Sequence, residues 1–214
     1  MVISASSTPL SYVLYWQDMI DTQAPARQED IGRILAELEP YPARRRRPAF
    51  IVLVGLPAAG KSRVAQELEA RTGAVVLESD ALRRLLFRRR TYSTAESQRL
   101  FAAIHGAAQE LLEDGMSVVL DATNLNEEER TPLYEIAERT DAKLILVQVT
   151  APESAIRRRL LRREAGGGNS EADADVYERM RDRAETMERP HYLVDTSQEI
   201  GPILTAITKE MMKL

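Results

Sequence analysis

Residues 49 to 63 read AFIVLVGLPAAGKSR, and this stretch decides the fold. An apolar run typical of a buried strand ends at Gly55, where the pattern G-x-x-x-x-G-K-S begins and continues to Ser62. A strand, a glycine-bounded loop and a helix start in this order predict a phosphate-binding loop. The glycines let backbone N–H groups approach an anion closely, and the helix directs its positive end at it.

Each part of the loop has an expected task in nucleotide binding. Lys61 is expected on the β- and γ-phosphates of ATP, and the Ser62 hydroxyl is expected to bind Mg²⁺. The residues predicted to contact the nucleotide are Gly55, Leu56, Pro57, Ala58, Ala59, Gly60, Lys61, Ser62 and Arg63.

Composition limits the other classes of function. The chain has 214 residues, a net charge of −4 and no cysteine, which excludes disulfides, thiol catalysis and cysteine metal sites. No basic N-terminal region precedes an apolar core, and no window holds 18 uninterrupted apolar residues. We therefore expect a cytoplasmic enzyme that has no membrane partner.

Four further apolar runs alternate with helical patterns after the loop, which predicts an α/β fold with a parallel sheet of about five strands and helices on both faces. Two of these runs end in carboxylates, Asp80 and Asp121. Ligands bind at the carboxyl ends of strands in such sheets, so we expect Asp80 near the γ-phosphate and Asp121 at the metal. Asp80 precedes a helical pattern and is also suited to be its N-cap.

The first 48 residues form a region of their own in the sequence, a helical extension and a basic linker, with the main domain at 49–214. Alternative tasks for this extension are packing on the main domain, self-association and docking of a partner. The linker ends in four successive arginines and Pro48. The first apolar stripe at helical spacing consists of Tyr12, Tyr15, Trp16, Met19 and Ile20.

A helical lid is predicted at about residues 152–188. Arg159 and Arg163 share a helix face, and like charges this close repel unless an anion lies between them. Three glycines at 166–168 give the flexibility that a lid requires. A solvated basic face is the alternative interpretation.

The chain resembles the P-loop kinases of the polynucleotide kinase and zeta-toxin type, also described as predicted AAA-type kinases. The residues that carry the resemblance lie between about 49 and 197, and the first 48 residues are outside it. They are GLPAAGKS at 55–62, SDALR at 79–83, VVLDATNLN at 118–126 and RLLRR at 159–163.

The resemblance implies a P-loop NTPase fold and a role for each matching residue. Asp80 matches the general base that takes the proton of the acceptor hydroxyl, and Arg83 matches a ligand of the acceptor's neighbouring phosphate. Arg159 and Arg163 match lid arginines that cover ATP and stabilise the transferring phosphoryl group. Thr123 and Asn124 match a pair on the acceptor side, and Lys61, Ser62 and Asp121 match the phosphate and Mg²⁺ positions.

The sequence therefore predicts an ATP- and Mg²⁺-dependent kinase that phosphorylates a hydroxyl. Because Arg83 would hold a phosphate, the 5′-hydroxyl end of a polynucleotide is the leading acceptor. A small-molecule hydroxyl on a sugar, nucleotide sugar or antibiotic is the second hypothesis. An ATP-binding regulatory module that docks a partner through residues 1–48 is the third.

Overall fold

A five-stranded parallel sheet runs through the centre of the molecule. The structure is a computed structural model that describes residues 24–39, 41, 44–165 and 170–213, without the side chains of 24, 25, 163–165 and 170–175. The apolar stripe at 12–20 and the three glycines at 166–168 lie outside the described residues. The strands are β1 (Ala49–Val54), β2 (Val75–Glu78), β3 (Val118–Asp121), β4 (Lys143–Thr150) and β5 (Tyr192–Asp195).

Eight helices accompany these strands in the described part of the chain. They are α1 (Ala24–Glu37), α2 (Lys61–Thr72), α3 (Ser79–Leu86), α4 (Thr94–Glu113), α5 (Glu127–Arg139), α6 (Glu153–Ala165), α7 (Ser170–Asp182) and α8 (Gly201–Met212). None of these helices is long and apolar enough to span a membrane.

The strand order β2-β3-β1-β4-β5 places β1 in the middle of the sheet. Ile51 of β1 pairs with Val119 on one side and Ile145 on the other, and every residue of β1 is buried. A strand covered on both faces needs an uninterrupted apolar sequence, which AFIVLV supplies. The predicted α/β fold of the P-loop type is confirmed.

Helices cover both faces of the sheet, and each face has its own apolar cluster. On one face, α2 and α8 pack with Leu68 and Leu204 against β1, β4 and β5. On the other face, α1, α3, α4 and α5 pack against β1, β2 and β3. Alternate residues of β1 enter the two clusters, with Phe50 in one and Ile51 in the other.

The helix α1 belongs to the same core as the sheet, although it precedes the first strand. Its Ile31 and Ile34 are buried in the cluster that contains Phe50 of β1 and several residues of α4. Asp30 of α1 is buried and accepts two hydrogen bonds from Arg99 of α4, at 2.6 and 3.0 Å. The structure thus shows that α1 packs on the main domain.

The lid helices α6 and α7 pack together over the glycine loop. Their Ile156, Leu160 and Tyr177 form a small buried cluster with Ala58. The predicted lid extends to about residue 188, whereas its second helix, α7, ends at Asp182. Beyond this end, the chain bonds to the segment before α5, where the Glu185 N–H donates to the Leu125 carbonyl at 3.0 Å.

Candidate active site

The glycine loop joins β1 to α2, and its two outer glycines lie where a side chain has no room. A Cβ at Gly55 would overlap the carbonyl oxygen of Val149, and one at Gly60 would lie 3.0 Å from Thr196 Cγ2. Gly60 also has a φ of +105°, and Ala58 between them has a φ of +59°. Such backbone angles are costly for alanine and persist where surrounding contacts hold them.

Lys61 begins α2 and bends back over the start of the loop. Its Nζ donates hydrogen bonds to the carbonyls of Gly55 and Leu56, at 2.9 and 3.0 Å. The N-cap Gly60 provides no side-chain hydrogen bond to the helix, so the first N–H groups of α2 point toward the loop without a capping side chain. This geometry is suited to a bound phosphate group.

Two carboxylates lie side by side at the carboxyl end of the sheet. Asp121 ends β3 and is 4% exposed, and Glu78 ends β2 directly opposite it in the strand register. No group of three His, Cys, Asp or Glu residues among the described residues could hold a metal ion by itself. A hydroxyl from Ser62 and a carboxylate from Asp121 fit Mg²⁺, which is usually held by one or two such oxygens together with substrate phosphates.

Asp80 lies in the first turn of α3, two residues after β2 ends at Glu78, and its side chain is exposed. Glu78 occupies the N-cap position of this helix, so Asp80 is not its N-cap. A carboxylate exposed near the end of a strand is accessible to an incoming hydroxyl group.

Arg83 points inward from α3 and forms an ion pair with Glu96 at the start of α4. Both side chains are more than nine-tenths buried, and Arg83 also contacts Ser97 at 3.3 Å. Glu96 accepts two further hydrogen bonds from Thr91, through its N–H and hydroxyl. The Thr91 N–H together with Arg83 lowers the pKa of Glu96 to about 2. The predicted contact of Arg83 with an acceptor phosphate stays a prediction.

Thr123 and Asn124 connect the segment after β3 to the start of the glycine loop. The Thr123 carbonyl accepts from the Gly55 N–H at 3.0 Å, and the Asn124 Nδ2 donates to the Leu53 carbonyl at 2.8 Å. Asn124 is buried, and its own carbonyl accepts from the fully buried Arg130 at 3.1 Å. These contacts position the loop, and a contact of either side chain with the acceptor stays a prediction.

Arg159 of α6 reaches the outer side of the glycine loop. Its Nη1 donates to the carbonyls of Ala58 and Ala59 and to the Thr196 hydroxyl, at 3.0, 2.9 and 2.9 Å. These contacts use loop carbonyls as acceptors, so they leave the loop N–H groups available to bind a phosphate. The side chain of Arg163 lies outside the described residues, and the proposed ATP contacts of both arginines stay predictions.

Thr196 is a site residue that the sequence reasoning missed. It follows β5, is 4% exposed, and donates from its hydroxyl to the Ala59 carbonyl at 2.6 Å. A polar residue soon after a strand was the signal that identified Asp80 and Asp121, and the same signal is present in Asp195-Thr196-Ser197. Glu96 was also missed, because a glutamate in the first turn of a helix gives no sign in the sequence that it pairs with Arg83, 13 residues earlier.

The comparison with protein families identifies the chain's family. The model of the AAA domain matches residues 50–187, more than half of the chain, and includes the glycine loop, both strand-end carboxylates and the lid. The chain belongs to the AAA domain family. Among curated proteins, no relative matches the chain.

Solved structures share the fold of this AAA domain, and several are kinases. The Mycobacterium tuberculosis APS kinase CysC, in complex with AMPPNP and APS, is 19% identical over 79% of this chain and 100% of its own, with a TM-score of 0.63. A gluconokinase from Sinorhizobium meliloti 1021 is 23% identical over 78% of this chain and 97% of its own, with a TM-score of 0.56. Chaetomium thermophilum Kti12, in complex with ADP-AlF3, is 19% identical over 75% of this chain and 96% of its own, with a TM-score of 0.59. At these identities the likeness establishes the fold.

Proposed function

We propose that the protein is an ATP-dependent kinase that transfers the γ-phosphoryl group to a hydroxyl, with the 5′-hydroxyl end of a polynucleotide as the acceptor. The observation that carries the proposal is the exposed carboxylate of Asp80 beyond the end of β2, on the same edge of the sheet as the glycine loop. A phosphate cradle alone binds a nucleotide, whereas a carboxylate beside it supplies the base that phosphoryl transfer to a hydroxyl requires.

Each of these site residues has its own role in the proposed reaction. The oxygen of the acceptor hydroxyl forms the new bond to the γ-phosphorus, and Asp80 accepts the proton of that hydroxyl. The bond between the γ-phosphorus and the β–γ bridging oxygen breaks in the same step. Lys61 moves from the loop carbonyls to the phosphates and offsets charge that grows on the bridging oxygen. Ser62 and Asp121 would hold Mg²⁺, which neutralises charge on the phosphate oxygens when bound.

Replacement of the base tests the assignment. Asp80→Ala is expected to reduce turnover at least about a hundredfold, because general-base catalysis contributes that much, while the affinity for ATP is retained. Asp114→Ala is a matched control, since this carboxylate is also exposed but follows α4 at the opposite end of the sheet. Turnover by label transfer and ATP affinity by calorimetry are measured on all three proteins, and wild-type turnover in Asp80→Ala would refute the role of Asp80.

A small-molecule hydroxyl is the second candidate acceptor, because two of the solved neighbours are named for small acceptors, APS and gluconate. The salt dependence of turnover separates the two candidates. The Michaelis constant for a polynucleotide rises steeply with salt because condensed counterions are released on binding, whereas a small acceptor carries no condensed counterions and shows little such slope. Transfer to sugars together with no transfer to a 5′-hydroxyl oligonucleotide at low salt would favour the small acceptor.

A further inference from the structure

Arg84, the residue after the buried Arg83, lies on the outside of α3 together with Asp80. The two residues are four apart, which places them on one face of a helix, about 6 Å apart between Cβ atoms. Both are exposed, whereas Arg83 is turned toward Glu96. Arg84 is therefore an exposed cation on the same face of α3 as the proposed base.

Three more exposed arginines, Arg88, Arg89 and Arg90, follow the end of α3. Neither these three side chains nor that of Arg84 makes a hydrogen bond or ion pair with any described residue. The other arginine clusters differ, since Arg47 pairs with Asp141 and Arg157 pairs with Glu153 and Glu178. In an acidic protein, an uncompensated cluster of this kind is suited to an anionic partner.

Tyr92 extends the same segment and is the most exposed large apolar side chain in the described part of the chain, at 67%. The Arg83 guanidinium lies 4.9 Å from the centre of its ring. One face of the ring is thus supported from within the protein, while the rest is exposed to solvent. A ring held in this way is a platform on which a nucleic acid base can stack.

The segment lies on the same side of the sheet as the phosphate loop. Helix α4 ends just before β3 starts, where the Gly115 carbonyl accepts from the Arg45 N–H, so its end is at the amino ends of the strands. Its 20 residues span about 30 Å, which places its start, and the segment before it, at the carboxyl ends. Asp80 is at the same edge, at the start of α3.

We propose that Arg84, Arg88, Arg89, Arg90 and Tyr92 form a binding strip for single-stranded nucleic acid that continues outward from Asp80. The proposal rests on the proposed function, and it names the residues that select a polynucleotide acceptor. The terminal hydroxyl lies at Asp80, the arginines contact the following phosphates and Tyr92 stacks on a base. Two described carboxylates near the strip are already paired with arginines: Glu96 pairs with Arg83, and Asp30 pairs with Arg99, whose guanidinium lies over the Phe87 ring. The exposed Asp80 faces the acceptor hydroxyl in this proposal.

The test compares two triple variants that remove equal charge from opposite ends of the sheet. Arg88→Gln/Arg89→Gln/Arg90→Gln removes three of the four arginines of the strip, and Arg44→Gln/Arg46→Gln/Arg47→Gln removes three of the four linker arginines. Binding of a 5′-hydroxyl single-stranded DNA of about 12 nucleotides with a 3′ fluorophore is followed by anisotropy over a range of salt concentrations. The full chain is used, together with an ATP analogue that cannot transfer its phosphoryl group.

We expect the wild type and the linker variant to show a slope of log affinity against log salt of about −3, because each of about four phosphates contributes about −0.7. The strip variant is expected to show a slope of about −1 and at least about tenfold weaker binding. Tyr92→Ala is expected to weaken binding of the DNA but not of polyglutamate, since only the DNA carries bases, and Tyr92→Phe is expected to retain the affinity for DNA.

Equal slopes in the two triple variants, or no DNA binding by the wild type, would overturn the strip. Polyglutamate that binds as tightly as the DNA would also overturn it, since the surface would then bind any polyanion. Label transfer from ATP is measured separately on the same proteins. Salt-dependent binding through the strip without transfer would refute the proposed function alone, whereas transfer with equal slopes would refute the strip alone.

Discussion

His105 shows how one partly buried side chain makes the stability of this protein depend on pH. It lies on α4, with its ring 6.2 Å from that of Phe101. Burial, together with the nearby cation of Arg27, lowers the pKa of His105 to about 4. In the unfolded chain this pKa is near the ordinary value of about 6.5, so between these two values the unfolded state binds more protons than the folded state.

We therefore expect the free energy of unfolding to be fully retained above about pH 6.5 and to fall as the pH falls from about 6.5 toward about 4, by at most about 1.4 kcal/mol per pH unit. His105→Gln should remove much of this dependence. His191→Gln is the matched control because His191 is the other histidine of the chain and is exposed. Denaturant unfolding at several pH values measures the effect, and identical profiles for the wild type and His105→Gln would contradict it.

The contrast between Asp80 and Arg83 shows how far residue identity predicts a site. The position of Asp80 followed from its place after a strand, because the carboxyl ends of parallel strands meet at one edge. The environment of Arg83 did not follow, because its orientation depends on Glu96, which a different helix supplies. A motif predicts where the backbone goes, whereas the partner of a charged side chain depends on tertiary packing.

At the scale of elements, the end of β5 and the lid helix α6 together clamp the glycine loop. Thr196 and Arg159 both bond to the Ala59 carbonyl, at 2.6 and 2.9 Å, and Arg159 also bonds to the Thr196 hydroxyl. The loop contains Ala58 at a φ of +59°, which requires support from its surroundings. The clamp therefore helps to hold the loop in this conformation.

Thr196→Val tests the clamp because it keeps the shape of the side chain and removes its hydroxyl. We expect the dissociation constant for ATP to rise roughly tenfold, since the Ala59 carbonyl loses one of its two donors and Arg159 loses the Thr196 hydroxyl as an acceptor, which weakens the support of the loop. Thr205→Val is the control, because this threonine is exposed and bonds within α8 to the Gly201 carbonyl. The two constants are measured by calorimetry, and an unchanged constant for Thr196→Val would show that the loop holds its shape without the clamp.

At the scale of the whole molecule, α1 completes the layer of helices on one face of the sheet. Ile34 has no exposed surface and lies in the cluster that includes β1 and α4. Ile34→Ala is expected to lower the free energy of unfolding by about 2 to 5 kcal/mol, because a buried methyl-rich side chain is lost and a cavity remains. Leu161→Ala, at a position that is 61% exposed, should change it much less. Denaturant unfolding measures both, and equal effects would show that α1 packs loosely.

Most of the architecture could be predicted from the sequence because each strand is an apolar run bounded by polar residues, and the glycine loop places β1 before α2. The integration of α1 was one of several open alternatives, since an apolar stripe does not reveal what covers it. The predicted lid extends to about residue 188, but α7 ends at Asp182, and the Glu185 N–H beyond it bonds to the distant Leu125 carbonyl, a tertiary contact that the local sequence does not show.

The most direct test of the central claim is transfer of the γ-phosphoryl group of labelled ATP to a 5′-hydroxyl oligonucleotide by the full chain with Mg²⁺. A 5′-phosphorylated oligonucleotide of the same sequence is the control, because its 5′-hydroxyl is blocked while its 3′-hydroxyl stays free. We expect one label per 5′ end on the first oligonucleotide, none on the second, and loss of transfer in Asp80→Ala. Release of inorganic phosphate with no label on any hydroxyl acceptor would contradict the account.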